Sequence, residues 1–307
     1  MKLIRKHLIG IICFIIAILY VLIIALNIKE TKKENKEDLS KYKVLCTEIL
    51  KQEDTDEEKK EWCTEILNTE YEIEDTLTIT HDFIDSATFN IYIIITPIII
   101  MIISTLNANK NFRSLNIKNY LNRESYTKYL KRIFKSSYIY TLFLPLIMII
   151  IFICSYLISG HFNYNYAVNS GYSTYNIEYL KQPILFMICV IANLFFMSIF
   201  YINIALFYIR SNKNYIVSMI ESSITYYFLY FVYVYVIAGI LLKKIKNADS
   251  YFNFIDMYSY HDVTWITLFT FLCFLTAVIS SLIVYLIYKN KEKTLIKLEQ
   301  CGGNIWK

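Results

Sequence analysis

"YIYTLFLPLIMIIIFICSYLIS", residues 138–159, contains no charged side chain and one proline, Pro145. A hydrocarbon core about 30 Å thick is crossed by roughly 20 residues of helix. A surface helix of a soluble domain would carry a polar face opposite its apolar one, and this stretch has no charged face to turn to water. Its natural solvent is lipid, in which a helix satisfies its own backbone groups.

Working outward, five further runs repeat the pattern, at 8–27, 89–106, 183–209, 215–242 and 263–288. The composition agrees: among 307 residues 56% are hydrophobic and 17% aromatic, with only six Gly and three Pro, so the apolar residues form uninterrupted helical runs. The expected fold is all-α, a polytopic membrane protein of six transmembrane helices forming one transmembrane domain over residues 1–307. The first run follows "MKLIRKH" but is about twice as long as a secretory h-region and lacks a small-residue cleavage site, which reads as a retained anchor.

Charge orients these spans. The short segments on the N-terminal side hold eighteen Lys and Arg against three acids, whereas the loop 28–88 on the other side holds nine Lys against eighteen acids. Short basic loops stay inside, so both termini are expected in the cytoplasm and the loop 28–88 outside. The loop 28–88 reads as an extracytoplasmic helical hairpin around "CTEILKQEDTDEEKKEWCTEIL", 46–67, with "YKVLCTEIL" on one arm and "EEKKEWCTEIL" on the other. Thr55 and Glu58 have capping-box spacing and place the turn near Asp54. Cys46 and Cys63 are equidistant from it and would face each other, so a disulfide is expected on an oxidising surface. The other reading is two free thiols on one apolar seam with Leu45, Ile49, Trp62 and Ile66.

Several classes of chemistry find no residues here. No GxxxxGK[ST] occurs, and glycines at 10, 160, 171, 239, 302 and 303 build no phosphate loop, so the chain has no ATPase site of its own. His7, His81, His161 and His261 are scattered, without HExxH or CxxC, so neither a metal nor a catalytic site is expected. The net charge of +5 arises from the basic loops and implies no nucleic acid.

The strongest functional signal is the segment 107–137, with eight basic residues and one acid. Ile117, Tyr120 and Leu121, then Tyr126, Tyr129, Leu130, Ile133 and Phe134, follow helical spacing with a phase break near Asn122 to Ser125. Two short amphipathic helices meeting at a corner follow. They either lie on anionic lipid head groups or dock a cytoplasmic partner.

Six spans, an outer domain after the first, this basic segment and the wording "NIKNYLNRESYTKYLKR" together resemble the permease subunits of ABC-2-type transporters. Leu121, Ser125, Lys128, Tyr129 and Leu130 fit the family's pattern after the second span, while its Gly-Thr pair, its Pro and the Arg after Ser are absent. The resemblance implies that 107–137 is a coupling segment whose Tyr120, Leu121, Arg123, Ser125, Tyr126 and Lys128 touch a separate ABC ATPase, which binds ATP and Mg. It also implies a second permease, like or unlike, and the inner membrane of a bacterium. The cargo would be amphipathic, lipid-like or a hydrophobic peptide such as an antimicrobial one.

For a pathway the fifth run offers Glu221, the one carboxylate inside a span, with Ser218, Ser222 and Thr225 on its side and Tyr226, Tyr230 and Tyr233 adjoining. These line a cavity, or else Glu221 snorkels and the tyrosines pack. Pro97 and Pro145 read as kinks or hinges, and the Tyr- and Asn-rich loop 160–182 as an interfacial element. The rival from another class is a non-transporting sensor or immunity protein that binds peptides on its acidic hairpin.

Overall fold

A computed structural model describes residues 2–51, 56–68, 76–85, 87–113, 123–161, 183–211, 214–232, 263–290 and 294. Among them the regular structure is helical: α1 (Lys2–Ile49), α2 (Glu57–Asn68), α3 (Thr76–Asp85), α4 (Ala87–Arg113), α5 (Tyr126–Tyr138), a 3-10 turn (Ile139–Leu142), α6 (Phe143–Ser159), α7 (Pro183–Ser211), α8 (Tyr215–Phe231) and α9 (Val263–Lys289). Among the described residues four helical stretches are long and apolar enough to cross a membrane: His7–Ile49, Tyr126–Ser159, Met187–Ser211 and Phe269–Lys289. The other two expected runs fall on α4 and on α8, of which residues 215–231 are described.

α1 departs from the sequence expectation in its length. Its 48 residues form one rod rather than a span followed by a separate hairpin arm. At 1.5 Å per residue it is about 72 Å long, more than twice a hydrocarbon core. Residues 11–49 contain no Gly or Pro, and the polar half is rich in Lys and Glu, good helix formers supported by Lys33–Glu37 at 3.6 Å and Lys41–Asp38 at 2.8 Å. α2 packs back on this arm. Its first turn closes through Lys60 N–H donating to the Asp56 carbonyl; Asp54 and Thr55, where the turn was expected, lie outside the described residues.

α3 is an element with no forerunner in the sequence reading, which gave all of 28–88 to the hairpin. It packs instead on α6, with Leu77, Ile79 and Phe83 buried. The hydroxyl of Thr76 bonds Ser159 Oγ at 2.7 Å and donates to the His161 carbonyl at 2.8 Å, fastening the start of α3 to the end of α6. Gly160 closes α6 with φ +76°, the left-handed conformation that a side chain resists.

Pro145 shows its effect one turn upstream. Its ring excludes a normal helical bond to the Thr141 carbonyl, and the chain passes through the 3-10 turn Ile139–Leu142 before α6 begins. α5 and α6 therefore follow each other as a continuous rod with a tightened joint.

α7 lies at the centre, packing most extensively on α9 and also on α4, α8 and α6. Val190, Leu194, Met197, Ile202, Ala205 and Leu206 are buried along it. Lipid gives no hydrophobic drive between helices, so close packing and interhelical hydrogen bonds hold them. Asn203 is one such bond-maker: it accepts from Tyr138 Oη and reaches Ser280 Oγ at 2.9 Å and Ser281 Oγ at 3.0 Å on α9. Other hydroxyls return to their own helix, as Ser198 does to the Leu194 carbonyl at 2.7 Å.

Candidate functional site

The end of the bundle where α4, α7 and α9 finish and α5 begins gathers the basic residues. α5 is strongly amphipathic. Tyr129, Leu130, Ile133, Ser136 and Ser137 are buried, whereas Lys128, Lys131, Arg132 and Lys135 are exposed. The buried face is turned onto the chain's own helices: Tyr129 Oη donates to the Asn111 carbonyl of α4 at 2.9 Å, and the rings of Phe112 and Tyr129 meet edge-on at 6.5 Å. A helix resting on lipid would turn that apolar face to the acyl chains. Here it is already used, and Lys128, Lys131 and Lys135 of the basic face are exposed.

The corner before α5 is tied down. Ser125 caps the helix, with φ −64° and ψ 149°, and its Oγ accepts from the Lys128 N–H. Glu124 pairs with Arg132 at 2.8 Å, one turn and a half into the helix. Arg123 and Lys128 are exposed beside it, and Tyr126 is half-buried, donating its hydroxyl to the Tyr288 carbonyl at 2.7 Å. Arg123, Ser125, Tyr126 and Lys128 are thus brought together at one corner. Tyr120 and Leu121 lie outside the described residues, as does the first of the two expected amphipathic helices beyond Arg113.

Sequence reasoning missed what this corner stands on. Tyr288, at the end of α9, is 1% exposed. Phe112 stacks on it at 5.5 Å, Phe134 meets it edge-on at 5.3 Å, and its hydroxyl donates to the Leu206 carbonyl of α7 at 2.8 Å. The guanidinium of Arg210 lies over the same ring at 5.7 Å. One tyrosine therefore joins α4, α5, α7 and α9. Nothing local marks it among 28 tyrosines; only its position at the end of a span hinted at more than lipid contact.

The expected pathway residues converge on one side of α8, but that side is packed on α7. Ser218 and Ser222 are fully buried; Ser218 Oγ donates to the Tyr208 carbonyl at 3.3 Å, and Thr225 Oγ1 pairs with Tyr208 Oη at 2.6 Å. Tyr226 meets Tyr201 edge-on at 5.0 Å and lies 6.4 Å from Tyr230. Glu221 and Tyr230 are half-buried at the margin, and Tyr233 lies outside the described residues. The opposite face of α8 forms an apolar groove of about 840 Å³ with α4, lined by Ile98, Ile102, Met219, Ser223 and Tyr227.

Cys46 and Cys63 are both fully buried, each against the other across the α1–α2 contact, as thiols. Burial, and then the neighbouring Cys63 thiol, push Cys46 up to about 11. Tyr42 and Trp62 meet edge-on at 6.4 Å on the same arm, while Leu45 and Trp62 remain exposed. Compared with known protein families, curated proteins and solved structures, the chain matches none.

Proposed function

We propose that this chain is the permease subunit of an ABC-2-type exporter. It crosses the inner membrane of a bacterium six times with both termini in the cytoplasm, pairs with a second permease, and is driven by a separate ATPase that binds ATP and Mg. Its cargo is amphipathic, lipid-like or a hydrophobic peptide. The observation that carries the reading is the corner at Arg123 to Lys128: Arg123 and Lys128 are exposed, while Tyr126 and the neighbouring Tyr129 tie it to α9 and α4 and, through Tyr288, to α7. Such a joint passes a push from a cytoplasmic partner directly to membrane helices. Exposed lysines on a rigid helix suit an acidic cleft.

Within this reading the margin of the α8 stripe, Glu221 and Tyr230, borders the pathway, and Cys46 and Cys63 join as a disulfide outside. The decisive test is pull-down from the native membrane. The double variant Tyr120→Ala, Leu121→Ala should stay in the membrane and release its ATPase, because buried anchors at an interface are each worth about 2 kcal/mol or more. Lys131→Ala with Lys135→Ala should weaken the association only slightly. A wild-type chain that recruits no ATPase would overturn the proposal in favour of the sensor or immunity protein, whose peptide site would be the acidic arm of α1 and α2.

A further inference from the structure

A second groove lies between the start of α1 and the start of α6, on the outer surface of the bundle. It encloses about 380 Å³ and is lined by Gly10, Ile11, Phe14, Leu142, Phe143 and Leu146, with His7 and Tyr140 at one end. That volume is in the range of small-ligand sites. Gly10 permits a close approach: a β-carbon there would overlap the Tyr140 ring, which would have to shift away from α1. The approach brings Tyr140 Oη within 2.8 Å of His7 Nδ1, which fixes both polar groups at that end. At the other end Phe14 and Phe143 meet edge-on at 5.6 Å and close the trough. The result is an apolar slot with a polar mouth.

We propose that this groove binds one acyl chain of an anionic phospholipid, with the head group at the His7–Tyr140 mouth. Depth and charge select the occupant. The mouth sits where the apolar run of α1 begins, immediately after Lys2, Arg5 and Lys6, which is the level of head groups. Outside the groove Ile12, Ile15, Ile16 and Leu19 are exposed to the same medium. A second copy of the chain fits poorly there. At this end the described residues of α4, α5 and α9 and of the turn before α5 offer exposed Lys110, Arg123, Lys128, Lys131, Lys135 and Lys289, and the one acid among them, Glu124, is already paired with Arg132. Two such ends repel, whereas an anionic lipid neutralises them. The wall is also almost free of hydrogen-bonding groups below the mouth, as an acyl chain requires.

The test is photolabelling of the full chain in bilayer discs that contain phosphatidylglycerol or phosphatidylcholine with the same diazirine-bearing acyl chain. Peptides containing Ile11 to Phe14 and Leu142 to Leu146 should be labelled, with phosphatidylglycerol favoured about fivefold, as expected for one added basic-group attraction. Leu146→Trp should fill the slot and abolish this labelling while leaving that of the α4–α8 groove unchanged. Lys2→Gln with Arg5→Gln and Lys6→Gln should keep the labelling but lose the preference. Equal labelling by the two lipids, or labelling insensitive to Leu146→Trp, would overturn the proposal. So would a disulfide between copies formed by Leu146→Cys, which would put a second chain in the groove.

Discussion

The two ends of this molecule are built from similar material and held in different ways. Each has an amphipathic helix returning onto the end of a longer one: α2 on the arm of α1, and α5 on α4. At the basic end the returning helix is locked by hydrogen bonds and aromatic contacts to three other elements through Tyr288, Tyr126 and Tyr129. At the acidic end α2 meets α1 at a two-helix seam, where Cys46 and Cys63 are buried but Val44, Leu45 and Trp62 stay exposed. Stability depends on how many elements share a contact, because only a side chain enclosed on all sides loses its whole environment when truncated. A seam between two helices can be strengthened cheaply by one covalent bond; a junction of four helices has no need of one.

The sharpest way to break the comparison is Tyr288→Ala. Removing a fully enclosed aromatic side chain should cost about 3–5 kcal/mol, in the range for buried Phe or Trp truncation. Unfolding of purified protein in detergent should show it, and ATPase association should fall in parallel. Trp62→Ala on the exposed arm should leave both nearly unchanged, and an equal effect of the two variants would erase the distinction.

Next in size is oxidation of the arm. Closing the Cys46–Cys63 loop should stabilise the α1–α2 contact by about 3 kcal/mol, the chain-entropy value for a loop of this length. Hydrogen exchange of α2 should slow on oxidation and that of α5 should not. In the reduced protein the raised Cys46 pKa keeps the thiol protonated at neutral pH, so its alkylation should stay slow and accelerate only as pH rises toward about 11. Rapid alkylation at pH 7 without reductant would remove both the burial and the bond.

Asn203→Leu is the intermediate case. It deletes the bridge from Tyr138 to Ser280 and Ser281 while keeping volume, and interhelical hydrogen bonds in membranes are worth about 0.6–2 kcal/mol. A loss within that range is expected, read as a lower unfolding midpoint with normal membrane insertion. The smallest effect belongs to Glu221→Gln, on the margin of α8: stability should stay within about 0.5 kcal/mol of wild type. Changed transport-linked ATPase stimulation in that variant, with assembly intact, would show that the margin borders the pathway, whereas unchanged stimulation would leave it as packing.

Much of the architecture follows from local chemistry and was legible without coordinates. Long uncharged runs must be helices in lipid because their backbone groups have no other partners, and the excess of Lys and Arg at one end groups the helix ends that do meet there. The amphipathic period of Tyr126, Tyr129, Leu130 and Ile133 gave α5 and its apolar face, whereas its cap at Ser125 came from the structure alone. The period of Ser218, Ser222, Thr225 and Tyr226 likewise gave a stripe. Periodicity says which residues share a face but not what covers it. Only tertiary packing turned the stripe of α8 inward onto α7, placed α3 against α6, and gathered Phe112, Tyr126, Phe134 and Arg210 around Tyr288 from segments far apart in the chain. These contacts depend on distances between helices, and a one-dimensional pattern carries no information about which helix is the neighbour.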